Sequence, residues 1–248
     1  MADRVVKLNP HAPSGEGLQT WEEISPDDLV SGTPVQRGVM VHDRDGLQVG
    51  TWDCTAMTTK MAPYPVHEFM LLLDGDLTMI DEAGQEETIF AGQPFFLPKG
   101  FKCTWRQPGY LRKFFLILDR DDYAAESDPA RLHVARPEPY GPPDGLTKIN
   151  LNPADFSTET PVQRQHLVYE SADGKIQVGT WDATAYERPI TPSKRSEIMC
   201  ILEGSVTMTS PQGEQTFHAG DSFFLPLGAP NGWRSEGYVR KFFCAVWP

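Results

Sequence analysis

Hydrophobic positions along this chain come in short runs rich in Val, Ile, Phe, Tyr, Trp and Thr, bounded at short intervals by Gly, Pro, Asp and Ser. That punctuation predicts strands. From Gln48 to Met57 the residues alternate, with Trp52, Cys54 and Ala56 on one face, as in a half-buried strand. Phe69 to Leu73 is apolar on both faces, which predicts a strand packed on each side. DEAGQ (Asp81–Gln85) and SPQGE (Ser210–Glu214) have the composition of turns. No segment holds a 3.6-residue period over ten residues with helix caps. The expected fold class is all-β, of sandwich or barrel type.

Self-comparison divides the chain into two copies of one unit. TPVQR occurs at Thr33–Arg37 and again at Thr160–Arg164, and LQVGTWD (Leu47–Asp53) returns as IQVGTWD (Ile176–Asp182). EFMLLLDG from Glu68 returns as EIMCILEG from Glu197. Gly92–Phe115 aligns without gaps onto Gly220–Phe243, with 14 of 24 positions identical. KLNP at Lys7 and NLNP at Asn150 extend the echo to the entry of each copy. Between the copies, DRDDYAAESDP and ARPEPYGPPDG read as an exposed linker with polyproline character, in which Asp128–Leu132 is compatible with one helical turn. The expected division is a first barrel over 1–120, a linker over 121–147 and a second barrel over 148–248.

Two motifs occur in register in both copies. Glu68–Gly75 and Glu197–Gly204 have the form Glu, six residues, Gly, and Gly92–Pro98–Gly100 and Gly220–Pro226–Gly228 have the form Gly, five residues, Pro-x-Gly. With them the chain resembles the cupin superfamily. The tail W-R-x-x-G-Y-x-R-K-F-F, at Trp105–Phe115 and Trp233–Phe243, is similar to the cupin group around (S)-ureidoglycine aminohydrolase and the ethanolamine-utilisation cupins. The resemblance implies two tandem cupin (double-stranded β-helix, jelly-roll) barrels forming a bicupin. It also implies where a metal would sit, because metal-binding cupins place two His four and six residues before the motif Glu and another three residues after Pro-x-Gly. Three imidazoles and a carboxylate suit Mn, Fe, Ni or Zn. Here those positions carry Ala62, Tyr64, Glu68 and Cys103 in the first copy, and Thr191, Ser193, Glu197 and Asn231 in the second. His67 adjoins Glu68, so strand alternation sends it to the opposite face. A tight site needs about four ligands, so no cofactor is expected, and a divalent metal at Glu68 and Cys103 is the alternative.

Both copies share a different set. Trp52 and Trp181, Trp105 and Trp233, Glu68 and Glu197, and Lys113 and Lys241 recur in matching places. Together with Tyr64, Cys103 and Asn231 they form the candidate ligand pocket, a cup with aromatic walls, one acid and one facing cation. The same residues also read as barrel core with a structural ion pair, since an inward charge must be partnered. Arg112 and Lys113 are neighbours on opposite faces, so which of them enters the cup stays open, as does whether Tyr64 and Tyr186 gate the mouth. Cys103 beside Lys102 has no visible triad, and His42 and His218 have no partner at ligand spacing.

Composition narrows the function classes. A net charge of −12 and a pI near 4.9 disfavour nucleic acid and anionic membrane surfaces. The four cysteines have no C-x-x-C spacing and Met1–Pro10 lacks an apolar leader, so a cytoplasmic protein is expected. The leading expectation is a metal-independent small-molecule-binding bicupin, with its functional cavity in the first barrel. The alternative is a metal-dependent aminohydrolase, isomerase or oxygenase acting on a small nitrogenous or carboxylate metabolite. A homodimer is expected from the family alone.

Overall fold

The computed structural model describes residues 4–11, 17–120, 123–142 and 144–248. Asp121, Asp122 and Pro143 of the expected linker lie outside them. The described chain is built of strands and three one-turn 3-10 helices, and it divides into two compact units. One unit is Leu8–Arg136, and the other is Pro137–Pro248 together with the N-terminal stretch ending at Lys7.

In the first unit, one sheet runs in the order Pro94–Leu97, His67–Asp74, Leu111–Leu118, Leu47–Cys54, Gln36–Arg44 and Gln19–Thr20. A second sheet contains Glu86–Phe90, Asp76–Asp81, Lys102–Gln107, Met57–Thr59 and Leu29–Gly32. The apolar core lies between them, with Met70, Leu72, Leu77, Met79, Phe95 and Phe115 essentially inaccessible. The second unit repeats this plan: Ser222–Leu225, Ser196–Glu203, Val239–Val246, Ile176–Ala183 and Gln163–Glu170 in one sheet, with Tyr186–Pro192, Pro230–Ser235, Ser205–Ser210 and Gly213–His218 in the other.

The motif glycines have a steric reason. Gly75 and Gly204 take φ of +80° and +77°, and a Cβ there would lie 2.2 Å from Tyr110 O and 2.0 Å from Tyr238 O. Only glycine combines that backbone with that approach.

Three sequence expectations need correction. Val6–Lys7 pairs with Phe224 and Phe223, so the KLNP segment is split: Lys7 joins the second unit's sheet, while Leu8–Pro10 begin the first unit, where the Asn9 carbonyl accepts from Thr51. NLNP has a different role: Asn152 caps the 3-10 turn Pro153–Asp155, a place taken in the first copy by Ser25 before Pro26–Asp28. Nor is the linker an exposed spacer. Ala135 pairs with Phe96 across both backbone hydrogen bonds, Tyr123 and Ala135 are buried, and Leu132 and Val134 pack on the first core. Its apolar residues lend the first unit buried area that a barrel of this size needs. The helical turn over this stretch is present as Pro129–Arg131, capped by Asp128.

Candidate functional site

The interior of the first unit is set by strand alternation. On Leu111–Leu118, Lys113, Phe115 and Ile117 face a cavity of about 430 Å³, whereas Arg112 turns outward. Lys113 is thus the cation of the cup. The pairing with His67–Asp74 shifts register between Arg112 and Lys113, leaving Leu73 unpaired. Outside, Arg112 joins Arg37 and Tyr110 around the fully buried Asp53. Burial alone would raise the Asp53 carboxyl, but the hydrogen bonds from Arg37, Tyr110 and Arg112 hold it below the ordinary range. The second unit repeats this outer cluster with Arg164, Asp182, Tyr238 and Arg240.

Lys113 starts opposite Leu72, while Glu68 lies opposite Ile117. The lysine therefore runs along the barrel past Met70, whose Sδ is 3.1 Å from Nζ, and reaches Glu68 Oε1 at 2.7 Å. Its ammonium sits between the Trp52 and Trp105 rings, 4.8 and 4.9 Å from their centroids, and the two rings meet edge to face. Two ring faces and one carboxylate compensate the buried charge. The other Glu68 oxygen accepts the Tyr64 phenol. Burial, then the Glu68 charge, pushes the Tyr64 phenol well above its usual value, so it stays a hydrogen-bond donor at neutral pH.

Trp52, Tyr64, Glu68, Cys103, Trp105 and Lys113 all line this cavity. Sequence reasoning missed Trp21, Gln36, Met57 and Thr59, which line it too. Gln36 accepts from Trp52 Nε1 at 2.9 Å and fixes that ring; its signal was available, because Gln36 is inside the exact repeat TPVQR. Trp21 meets Phe115 edge-on. Asp28 and Lys60, both exposed, also line the cavity, whereas the inner polar groups are engaged. Gln36 is held by Trp52 and the Glu22 carbonyl, and Thr59 accepts from the Trp105 backbone.

Cys103 lies in the cavity wall with its thiol pushed up to about 12 by burial, and Lys102 points away to pair with Glu82. A nucleophilic thiolate is not formed there. His67 turns to the other face, where Nε2 meets Ala124 O and Nδ1 accepts from Lys99 N. Among the described residues no group of three or more His, Cys, Asp or Glu converges as a metal site. At the position the resemblance gives to a metal, Glu68 has both oxygens engaged, Ala62 offers no donor and Cys103 is a protonated thiol. This set does not fit a transition ion.

Glu197, Lys241, Trp181, Trp233 and Asn231 meet in the interior of the second unit. Lys241 Nζ is 2.6 Å from Glu197 Oε1 and lies over the Trp181 and Trp233 rings. Here, however, the lining differs. Tyr186 stacks flat on Trp233 at 5.8 Å, and Arg188 reaches Asn231 Oδ1 at 2.7 Å. The question left open of Tyr64 and Tyr186 as gates is answered for Tyr186, which is buried against Trp233. Tyr186 is buried and replaces Met57, while the place of Tyr64 is taken by Ser193. Arg195 completes the pocket by binding Glu197 Oε2. Arg188 and Arg195 stand where the first copy has Thr59 and Val66, and no repeated residue marked them.

Among the described residues no helix is long and apolar enough to cross a membrane. The model of the EutQ-like cupin domain matches residues 42–115 and 170–243. No curated protein matches the sequence. Among solved structures, the chain is similar to a protein with unknown function of the DUF861 family from Pseudomonas syringae pv. tomato str. DC3000, with 24% identity, a TM-score of 0.78, and 98% of this chain and 100% of that one covered. It is also similar to protein Ylba from E. coli, with 8% identity, a TM-score of 0.53 and coverage of 99% and 92%. A third is a cupin 2 conserved barrel domain protein from Leptotrichia buccalis, with 8% identity, a TM-score of 0.52 and coverage of 85% and 88%. At such identities these likenesses establish the fold. With both of its repeats matched, the chain belongs to the EutQ-like cupin domain family, as a bicupin.

Proposed function

We propose that this chain is a small-molecule-binding bicupin whose first barrel takes a small, predominantly apolar ligand without a transition metal. The observation that carries this reading is the Lys113 ammonium held between Glu68, Trp52 and Trp105. It satisfies the acid internally and leaves a largely aromatic cavity of about 430 Å³, with the exposed Asp28 and Lys60 among its lining residues. That volume is within the range of ligand pockets, and burial of apolar ligand surface against Trp21, Trp52, Trp105 and Phe115 supplies the affinity. The phenol of Tyr64 offers its oxygen lone pair to one hydroxyl or amide donor on the ligand. Four free, buried thiols favour a reducing compartment, the cytoplasm.

Benzyl alcohol titrated into the full chain in the presence of EDTA tests this reading, because ligand entry changes the emission of the cavity tryptophans. A saturable change is the expected result. Its absence up to about 10 mM, an affinity below the useful range for a specific pocket, overturns the apolar-ligand reading. So does a response that appears only when Mn, Fe, Ni or Zn is added back.

A further inference from the structure

The second barrel differs from the first in the sign of its interior. In the first, Glu68 and Lys113 balance. In the second, Lys241 and Arg195 both bind the one acid, Glu197, and a third cation, Arg188, lies close enough to act on Lys241. Glu197 is saturated: Lys241 holds Oε1 at 2.6 Å and Arg195 holds Oε2 at 2.8 Å. Among the described residues Arg188 meets no carboxylate. One terminal nitrogen bonds the neutral Asn231 amide, and its Nε is buried without a hydrogen-bond partner. A partly buried guanidinium facing two other cations is unfavourable unless an anion joins it.

We propose that the second barrel binds a small carboxylate anion at Arg188, beside the Arg195–Glu197–Lys241 cluster. The guanidinium offers the planar fork that matches a carboxylate. Asn231 is pinned by the Thr191 and Ala229 carbonyls, so its Oδ1 fixes the arginine head from behind. Arg188 and Arg195 are both partly exposed, Arg195 lying 5.0 Å over Trp247, while Glu197 and Lys241 behind them are buried. The electrostatics agree. Burial lowers the Lys241 ammonium below its ordinary range, and Arg195 and Arg188 add to that lowering against the opposing pull of Glu197. The excess of two positive charges favours a dicarboxylate over a monocarboxylate.

Calorimetric titration of the full chain at low ionic strength, with succinate, acetate and inorganic phosphate in separate arms, tests the site. The expected result is one succinate per chain with a Kd of about 1 mM or tighter, weaker acetate, and phosphate weaker than succinate. Arg188→Thr restores the residue of the first barrel and should weaken succinate by about tenfold or more, the worth of a charge-assisted pair. Arg188→Gln, which keeps a side chain long enough to reach Asn231, should do the same. Nitrogen–proton NMR of the unmodified protein gives a readout without substitution: the Arg188 Nε–H signal should shift on adding succinate. The proposal is overturned by absence of saturable succinate binding, by phosphate binding as tightly as succinate, by undiminished binding in both variants, or by an unmoved Arg188 signal.

Discussion

Lys113 Nζ lies 2.7 Å from Glu68 Oε1, with both side chains more than nine-tenths buried. A pair so thoroughly removed from water is held less by its own attraction than by the penalty of breaking it. Lys113→Met strands the Glu68 carboxylate among Trp52, Trp105 and Met70, and should destabilise the protein by about 3–5 kcal/mol. Adding Glu68→Gln removes the stranded charge and should return at least half of that loss. Urea unfolding of the two single variants and the double variant measures the coupling. A single Lys113→Met loss below about 1 kcal/mol would show that the pair is solvated after all.

The second pair gives a pH dependence. Burial favours neutral Glu197, yet the charges of Arg195 and Lys241 outweigh it and hold the carboxyl at about 2 instead of the ordinary 4.5. A depressed folded-state value stabilises above the unfolded value and is lost as pH falls. The contribution is therefore complete above about pH 4.5 and disappears toward pH 2. At roughly 1.4 kcal/mol per unit it amounts to about 3 kcal/mol. Unfolding free energies of the wild type and Glu197→Gln, compared between pH 6 and pH 3, should converge as the acid limit is approached. Parallel curves would contradict this, since Asp53 and Asp182 titrate in both proteins.

The four thiols provide a separate check on packing. All are free and buried, and burial pushes Cys54 and Cys200 up to about 11, Cys103 to about 12, and Cys244 higher still. At pH 8 a disulfide reagent should label none of them in the folded chain and all four in guanidinium. Rapid labelling of one native thiol, traced to Cys103, would restore the nucleophile that burial argues against.

Much of this architecture was legible because it was written twice. Gly75 and Gly204, the paired tryptophans and the paired acids repeat in register, and repetition at a fixed spacing is a signal of three-dimensional equivalence. What escaped lies where repetition fails. MTTKMAPYPVHE (Met57–Glu68) and YERPITPSKRSE (Tyr186–Glu197) share only Pro63/Pro192 and the final acid. That segment lines one barrel with Met57 and Thr59 and gives the other Tyr186 and Arg188. Parity on Leu111–Leu118 separates Arg112 from Lys113 but does not say which parity faces inward; pairing with the neighbouring strands puts Lys113 with Phe115 and Ile117 on the cavity side. The two-residue strand Val6–Lys7 is too short for any period to show, so its place in the second unit's sheet is a purely tertiary fact.

Ala62 offers the most direct test of the open barrel. It is exposed at the rim, pairs with Cys103, and lines the cavity. A residue on the surface can change size with little effect on folding, within about 0.5 kcal/mol, whereas bulk at a cavity mouth excludes ligand sterically. Ala62→Trp should leave the thermal midpoint near that of the wild type and weaken benzyl alcohol by about tenfold or more, the worth of one lost apolar contact face. Succinate binding in the second barrel should be untouched. If benzyl alcohol binds Ala62→Trp as well as it binds the wild type, the ligand enters elsewhere, and the aromatic cavity of the first barrel is core packing and not a binding site.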